Sequence, residues 1–193
     1  MMPVATITAQ GGHDRLHIGW MAHWNASFQG NALKQVIFDD PRFADRIIAD
    51  ISGLDVCPDE VASDLEALSQ RLKPFFSPES LTEVGLAWSA PRLFLCLFDP
   101  KTRYACGPLT PKQVEMLTEF HSHADKTVVP VLPDVTALAD QGLICVVAWL
   151  TKQDSAQSEI LKFKFNPLII EQIDYIDSRA NFFETYLNRH SQV

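Results

Sequence analysis

Cysteine is scarce in this chain of 193 residues, which carries it at four positions: Cys57, Cys96, Cys106 and Cys145. No two of them stand in C-x-x-C spacing, so zinc-ribbon and thioredoxin-type sites are excluded. Glycine is scarce too, at eight residues, and none falls into a G-x-G-x-x-G turn or a P-loop. A G-x-S-x-G elbow and an S-x-x-K pair are also missing, so no nucleophile stands in a known catalytic setting. Basic charge is in deficit, 16 Lys and Arg against 24 Asp and Glu, for a net charge of −8. That balance argues against nonspecific binding to nucleic acid or to an anionic membrane, and permits a basic protein partner. No apolar run reaches the roughly 20 residues that cross a bilayer. The first residues, MMPVATITAQGGHD, lack the basic segment and apolar stretch of a signal peptide. Together these features predict a protein of the reducing cytoplasm with neither nucleic acid nor membrane as partner.

What is present is ordinary globular material: 47% hydrophobic and 21% charged residues, in a length that can bury a core without metal or disulfide staples. The chain reads as a single domain, residues 1–193. Proline is its most informative punctuation. Asp40-Pro41, Cys57-Pro58, Ser77-Pro78, Thr110-Pro111 and Asn166-Pro167 each put proline where a helix loses nothing by its missing N–H. Asp, Ser, Thr and Asn before it can cap the free amides. Apolar residues follow at helical spacing: Phe43, Ile47, Ile48 and Ile51, with Gly53 as a stop; Val61, Leu65, Leu68 and Leu72; Leu81 and Val84; Val114, Leu117 and Phe120. The longest pattern runs from Pro167 to about Arg189 and predicts a C-terminal helix integral to the fold. A short turn over Val135–Asp140 is expected to end at Gly142. The other lone glycines, Gly85 among them, read as turns or caps.

Strand signals alternate with these. RLFLCLF (92–98) and LICVVAWL (143–150) are almost wholly apolar, as strands covered on both faces are. In such runs Cys96 and Cys145 act as small hydrophobes. ILKFKF (160–165) alternates, with Phe163 and Phe165 inward and lysines outward, and LHIGWMAHW (16–24) alternates likewise. TVVPVL (127–132) is expected at an edge because of Pro130, and FDPKTRYACG as a turn and return strand. The fold expected is α+β: a helix-rich N-terminal half, a mixed or antiparallel sheet of about four to six strands, and a long C-terminal helix packed on it.

Two histidine clusters invite a metal. HSHADK, with His121, His123 and Asp125, resembles the H-x-H-x-D-H motif of the metallo-β-lactamase fold. Lys126 replaces its last histidine, a helical segment precedes it where that family has a strand, and downstream only His190 remains. The pattern is read as a polar helix end, whose imidazoles suit the negative end of the dipole. In the second cluster, His13, His17 and His23, a helix would let His13 and His17 share a metal, but along the strand read here His17 and His23 would lie about 20 Å apart, too far to share an ion. No metal and no cofactor is expected, and no catalytic residue is assigned. Trp20, Trp24, Phe28 and Phe38 make the N-terminal segment dense in aromatics. They are the candidate binding residues, since buried aromatics dominate interface energetics.

LFLCLFDPKTRYACGPLTPKQVEMLTEF (93–120) resembles a stretch of the adaptor proteins that load effectors onto the type VI secretion spike. In those an apolar strand ends in an aromatic-Asp-Pro-basic turn, and a Leu-Thr-Pro-acid-Gln helix start follows. The functional expectation is a non-enzymatic, acidic protein that binds another protein as adaptor, chaperone or inhibitor, with a type VI effector adaptor as one alternative. The other is an enzyme whose site is assembled from dispersed His, Cys and Asp residues.

Overall fold

The computed structural model describes residues 16–24, 31–53, 67–94, 98, 100, 109–121, 134–153, 155–171 and 173–190. Among them every regular element is helical and there is no strand. A 3-10 segment, Ile18–Ala22, is followed by α1 (Asn31–Phe38), a 3-10 turn Pro41–Phe43, and α2 (Ala44–Ser52). After helical residues 67–72 and the turn Lys73–Phe76 come α3 (Pro78–Leu93), α4 (Pro111–Glu119) and α5 (Val135–Lys152). The chain ends in α6 (Ala156–Lys162), α7 (Pro167–Glu171) and α8 (Ile176–His190). The expected α+β class and its sheet are therefore overturned: the described fold is all-α.

The helix starts follow local chemistry. Ser77 accepts from the Ser80 N–H ahead of Pro78, and Thr110 forms a capping box with Gln113 ahead of Pro111. Asp134 accepts from the Ala137 N–H at 2.7 Å, and Ser155 from the Ser158 N–H at 3.2 Å. Gly53 closes α2 at φ 68°, a conformation that glycine adopts without penalty.

The sheet failed on α5. Residues 143–150, taken for a buried strand, are the second half of an 18-residue helix, and Leu143 and all residues from Cys145 to Leu150 are buried. α3 packs along one side of it and α8 along another, with α6 and α7 completing the cover. Where a helix is covered on most sides, as over 143–150, it has no polar face there, so its 3.6-residue period vanishes and it reads like a buried strand. By length and composition α5 would suit a bilayer; in the fold, 56% of it is buried inside the protein.

Gly142 does not stop a turn, and Gly85 is neither turn nor cap. Both lie mid-helix where α3 and α5 cross, each set against the other helix's backbone. Of 92–98, Arg92 and Leu93 end α3 and Phe94 continues it as a 3-10 turn; 95–97 lie outside the described residues, as does TVVPVL. In 160–165 the inward Phe163 and Phe165 are indeed buried, but by a tight turn after α6 that sends them to different cores. The long C-terminal helix is two, α7 and α8, separated at Tyr175, whose φ is 57°.

The larger core gathers Leu81, Val84, Leu117, Leu138, Val146 and Phe183 with their neighbours, within α3, α4, α5 and α8. A smaller core joins Leu16, Trp24, Phe38, Ile47 and Ile48 to Phe163.

Candidate functional site

Three helix starts converge on one groove. Pro78 and Glu79 come from the first turn of α3, Thr110, Lys112 and Gln113 from the start of α4, and Val135 from the start of α5. Its volume is about 300 Å³ and its mouth is open to solvent. Leu86 and Met116, both buried, form the apolar floor, while Val135 stands 67% exposed on the rim. An ion pair between Lys112 and Glu83 ties α4 to α3 across the groove, and Glu79 adds an exposed carboxylate.

Several of the groove's polar groups are already committed to helix caps and internal bonds. Ser77, Thr110 and Asp134 each take a first-turn amide for a cap, so these helix ends have part of their anion-binding capacity already spent. The Thr82 hydroxyl donates to the Pro78 carbonyl at 2.7 Å, and Thr110 is committed to its capping box. Among the described residues the lining includes no His, Cys or Ser.

Of the aromatic candidates, Trp20, Trp24 and Phe38 lie away from this groove. Trp24, 5% exposed, packs its ring 6.1 Å from that of the fully buried Phe38, in the smaller core. Trp20 is half-buried, and its indole N–H donates to the Phe165 carbonyl at 2.9 Å. Phe28 lies outside the described residues.

Among the described residues the histidines are not brought together. His121 stacks on Phe94 with ring centroids 4.1 Å apart and sets its Nδ1 against the Thr118 carbonyl; His123, Asp125 and His13 lie outside the described residues. His17 and His23 flank the 3-10 segment rather than sharing a strand, which corrects the alternation read there. The His17 Nδ1 accepts from the Gly19 N–H at 3.0 Å, and burial lowers its pKa below the ordinary 6.5. Among the described residues no group of three or more His, Cys, Asp or Glu is arranged to hold a metal.

Sequence reasoning passed over Arg179, which is buried between α8, α5 and α3. Its Nε donates to the Asp174 carbonyl at 2.8 Å and its Nη2 to Gln141 Oε1 at 3.0 Å. Its Nη1 points at Cys145 Sγ at 3.7 Å, and the guanidinium lies 4.8 Å from the Trp88 ring centroid. Burial pushes the Cys145 thiol up to about 12 despite the pull of Arg179, so this free cysteine is a protonated core group. Cys57, Cys96 and Cys106 lie outside the described residues. The one sequence signal for Arg179 was its position on the apolar stripe of α8, between Ile176 and Phe183. The groove had no linear signal, because its walls come from three separate helices.

No protein-family model matches the chain, and no curated protein or solved structure matches it either.

Proposed function

We propose that this chain acts by binding another protein, in an adaptor, chaperone or inhibitor role, and that the groove between the starts of α3, α4 and α5 takes an apolar side chain of that partner. The supporting observation is Val135, an apolar residue left 67% exposed beside the buried floor of Leu86 and Met116. Covering such a side chain contributes up to about 1.5–3 kcal/mol, enough for an interface anchor. The exposed carboxylate of Glu79 on the wall, and the chain's net charge of −8, favour a partner with basic residues beside its apolar anchor. The segment that resembles type VI effector adaptors supplies Thr110, Lys112, Gln113 and Met116 to this groove, and effector loading is one specific form of the proposed role.

The test places a photo-crosslinking amino acid at position 135 and, as a control, at the exposed Ser178 of α8. A protein crosslinked from 135 and not from 178 is then purified and titrated against the wild type and Val135→Glu. The expected result is binding weakened at least tenfold by the substitution, with an unchanged melting temperature. Equal crosslinking from both positions, or equal affinity for both proteins, would remove the groove from the interaction.

A further inference from the structure

Among the described residues, the smaller core belongs to a lobe that meets the helical bundle along a seam centred on Phe163–Pro167, with His23 lying 4.0 Å from Glu171 beyond it. The lobe consists of residues 16–24 and 31–53: the 3-10 segment, α1, the turn Pro41–Phe43 and α2. α1 and the 3-10 segment pack on one another, α2 rests on the turn that precedes it, and Trp24, Phe38, Ile47 and Ile48 fill the space between them. The bundle contributes Phe163 to that core, with Ile160 against its edge.

The seam itself is short. The His17 N–H donates to the Phe163 carbonyl at 2.8 Å, and the Trp20 indole N–H to the Phe165 carbonyl at 2.9 Å. These bonds satisfy carbonyls of the turn after α6. The Trp20 ring lies 4.5 Å from that of Phe163, and Gly19 lies against Pro167, where a methyl group would come within 2.8 Å of the proline ring. By contrast α3, α5 and α8 share one continuous core, with α5 packed along both of the others.

A unit with a small core, joined to the bundle by fewer contacts among the described residues than join α3, α5 and α8, opens at a lower free energy than the body it leans on. We infer that the lobe opens as one unit about the seam at Phe163–Pro167 while α3, α5 and α8 stay folded. Opening uncovers Phe163 and Ile160 at the end of α6 without disturbing the crossing of α3 and α5. The inference is independent of what the groove binds.

Native-state hydrogen exchange of the full chain tests it, read at low denaturant concentrations. The lobe is followed at the hydrogen-bonded amides of Asp39 and Gly53, and the bundle at those of Val146 and Val147. The lobe amides are expected to converge on a single opening free energy that responds to denaturant and lies below that of the bundle amides. Trp20→Phe, which keeps a ring and removes the indole donor, is expected to raise lobe opening about fivefold and leave the bundle amides unchanged. Lobe amides that exchange at the bundle's level overturn the proposal. So do lobe amides that exchange independently with no response to denaturant, and so does a Trp20→Phe effect shared equally by both sets.

Discussion

Gly85 and Gly142 lie against each other's helices, each occupying the place where the other helix's backbone passes. A methyl group on Gly85 would lie 1.8 Å from the Leu138 carbonyl oxygen, and one on Gly142 would lie 1.9 Å from that of Leu81. The relation is reciprocal, because Leu81 precedes Gly85 and Leu138 precedes Gly142 by one helical turn. The obstacle is backbone in both cases, so no rotamer change can relieve it.

Gly85→Ala and Gly142→Ala are each expected to destabilise the protein by about 3 kcal/mol or more, at the top of the range for overpacking. One outward shift of α3 from α5 serves both methyl groups, so the double variant should cost clearly less than the sum. Urea unfolding of the two single variants and the double variant gives the answer. Additive losses would show that the crossing does not move as one contact.

Cys145 makes stability depend on pH at the alkaline end. Its thiol is held up to about 12 by burial, against 9.0 ordinarily. Between these values the unfolded chain loses the proton and the folded chain keeps it. Stability therefore falls as pH rises through this window, by at most about 1.4 kcal/mol per pH unit. Tyr186, raised by burial and then by Glu83 and Glu119 from its ordinary 10.0, adds a loss of the same sign at higher pH. Unfolding measured between pH 9 and 10 should thus show a steeper decline in the wild type than in Cys145→Ala. Parallel curves would place the thiol in water.

His17 acts at the acid end. Burial lowers its pKa below 6.5, so on acidification the unfolded chain takes up the proton first. Stability is fully present above pH 6.5 and falls as pH drops below it. Asn at this position keeps an acceptor for the Gly19 amide and removes the titration. Wild type should therefore lose stability relative to His17→Asn as the pH is lowered, and the loss should appear first in the exchange of the lobe amides. A constant difference across the range would contradict the assignment.

Arg179 has no conservative substitute. Its guanidinium serves the Asp174 carbonyl, Gln141 and the Trp88 ring at once, a planar division of donors that an ammonium group cannot copy. Arg179→Met is expected to cost about 2 kcal/mol by leaving part-buried acceptors unpaired, and Arg179→Lys to recover less than half of that. Chemical denaturation compares them, and full rescue by lysine would reduce the residue to a point charge.

The helix starts could be read from the sequence where a cap and a proline act locally, as at Ser77-Pro78 and Thr110-Pro111. Gly53 likewise marked the end of α2, because a left-handed residue is a local requirement. The sheet was misread where tertiary cover erased periodicity, as in Leu143–Leu150, and where a tight turn imitated alternation, as at Phe163 and Phe165. Ile18 and Trp20 stand two residues apart, as on one face of a strand, and a 3-10 segment carries the same spacing. The groove could not be read at all: each helix start was visible, but nothing in the sequence says that three of them meet.

The burial of α5 has a consequence for how the chain is made. Synthesis runs from the N-terminus, so α3 is available before α5, whereas α8 arrives only after the residues of α6 and α7. Until then the side of α5 that Phe183, Tyr186 and Leu187 will cover is bare, on a helix apolar enough to suit a membrane. The nascent chain thus passes through an interval in which this apolar segment is half-wrapped. Whatever attends the ribosome then meets it before α8 does.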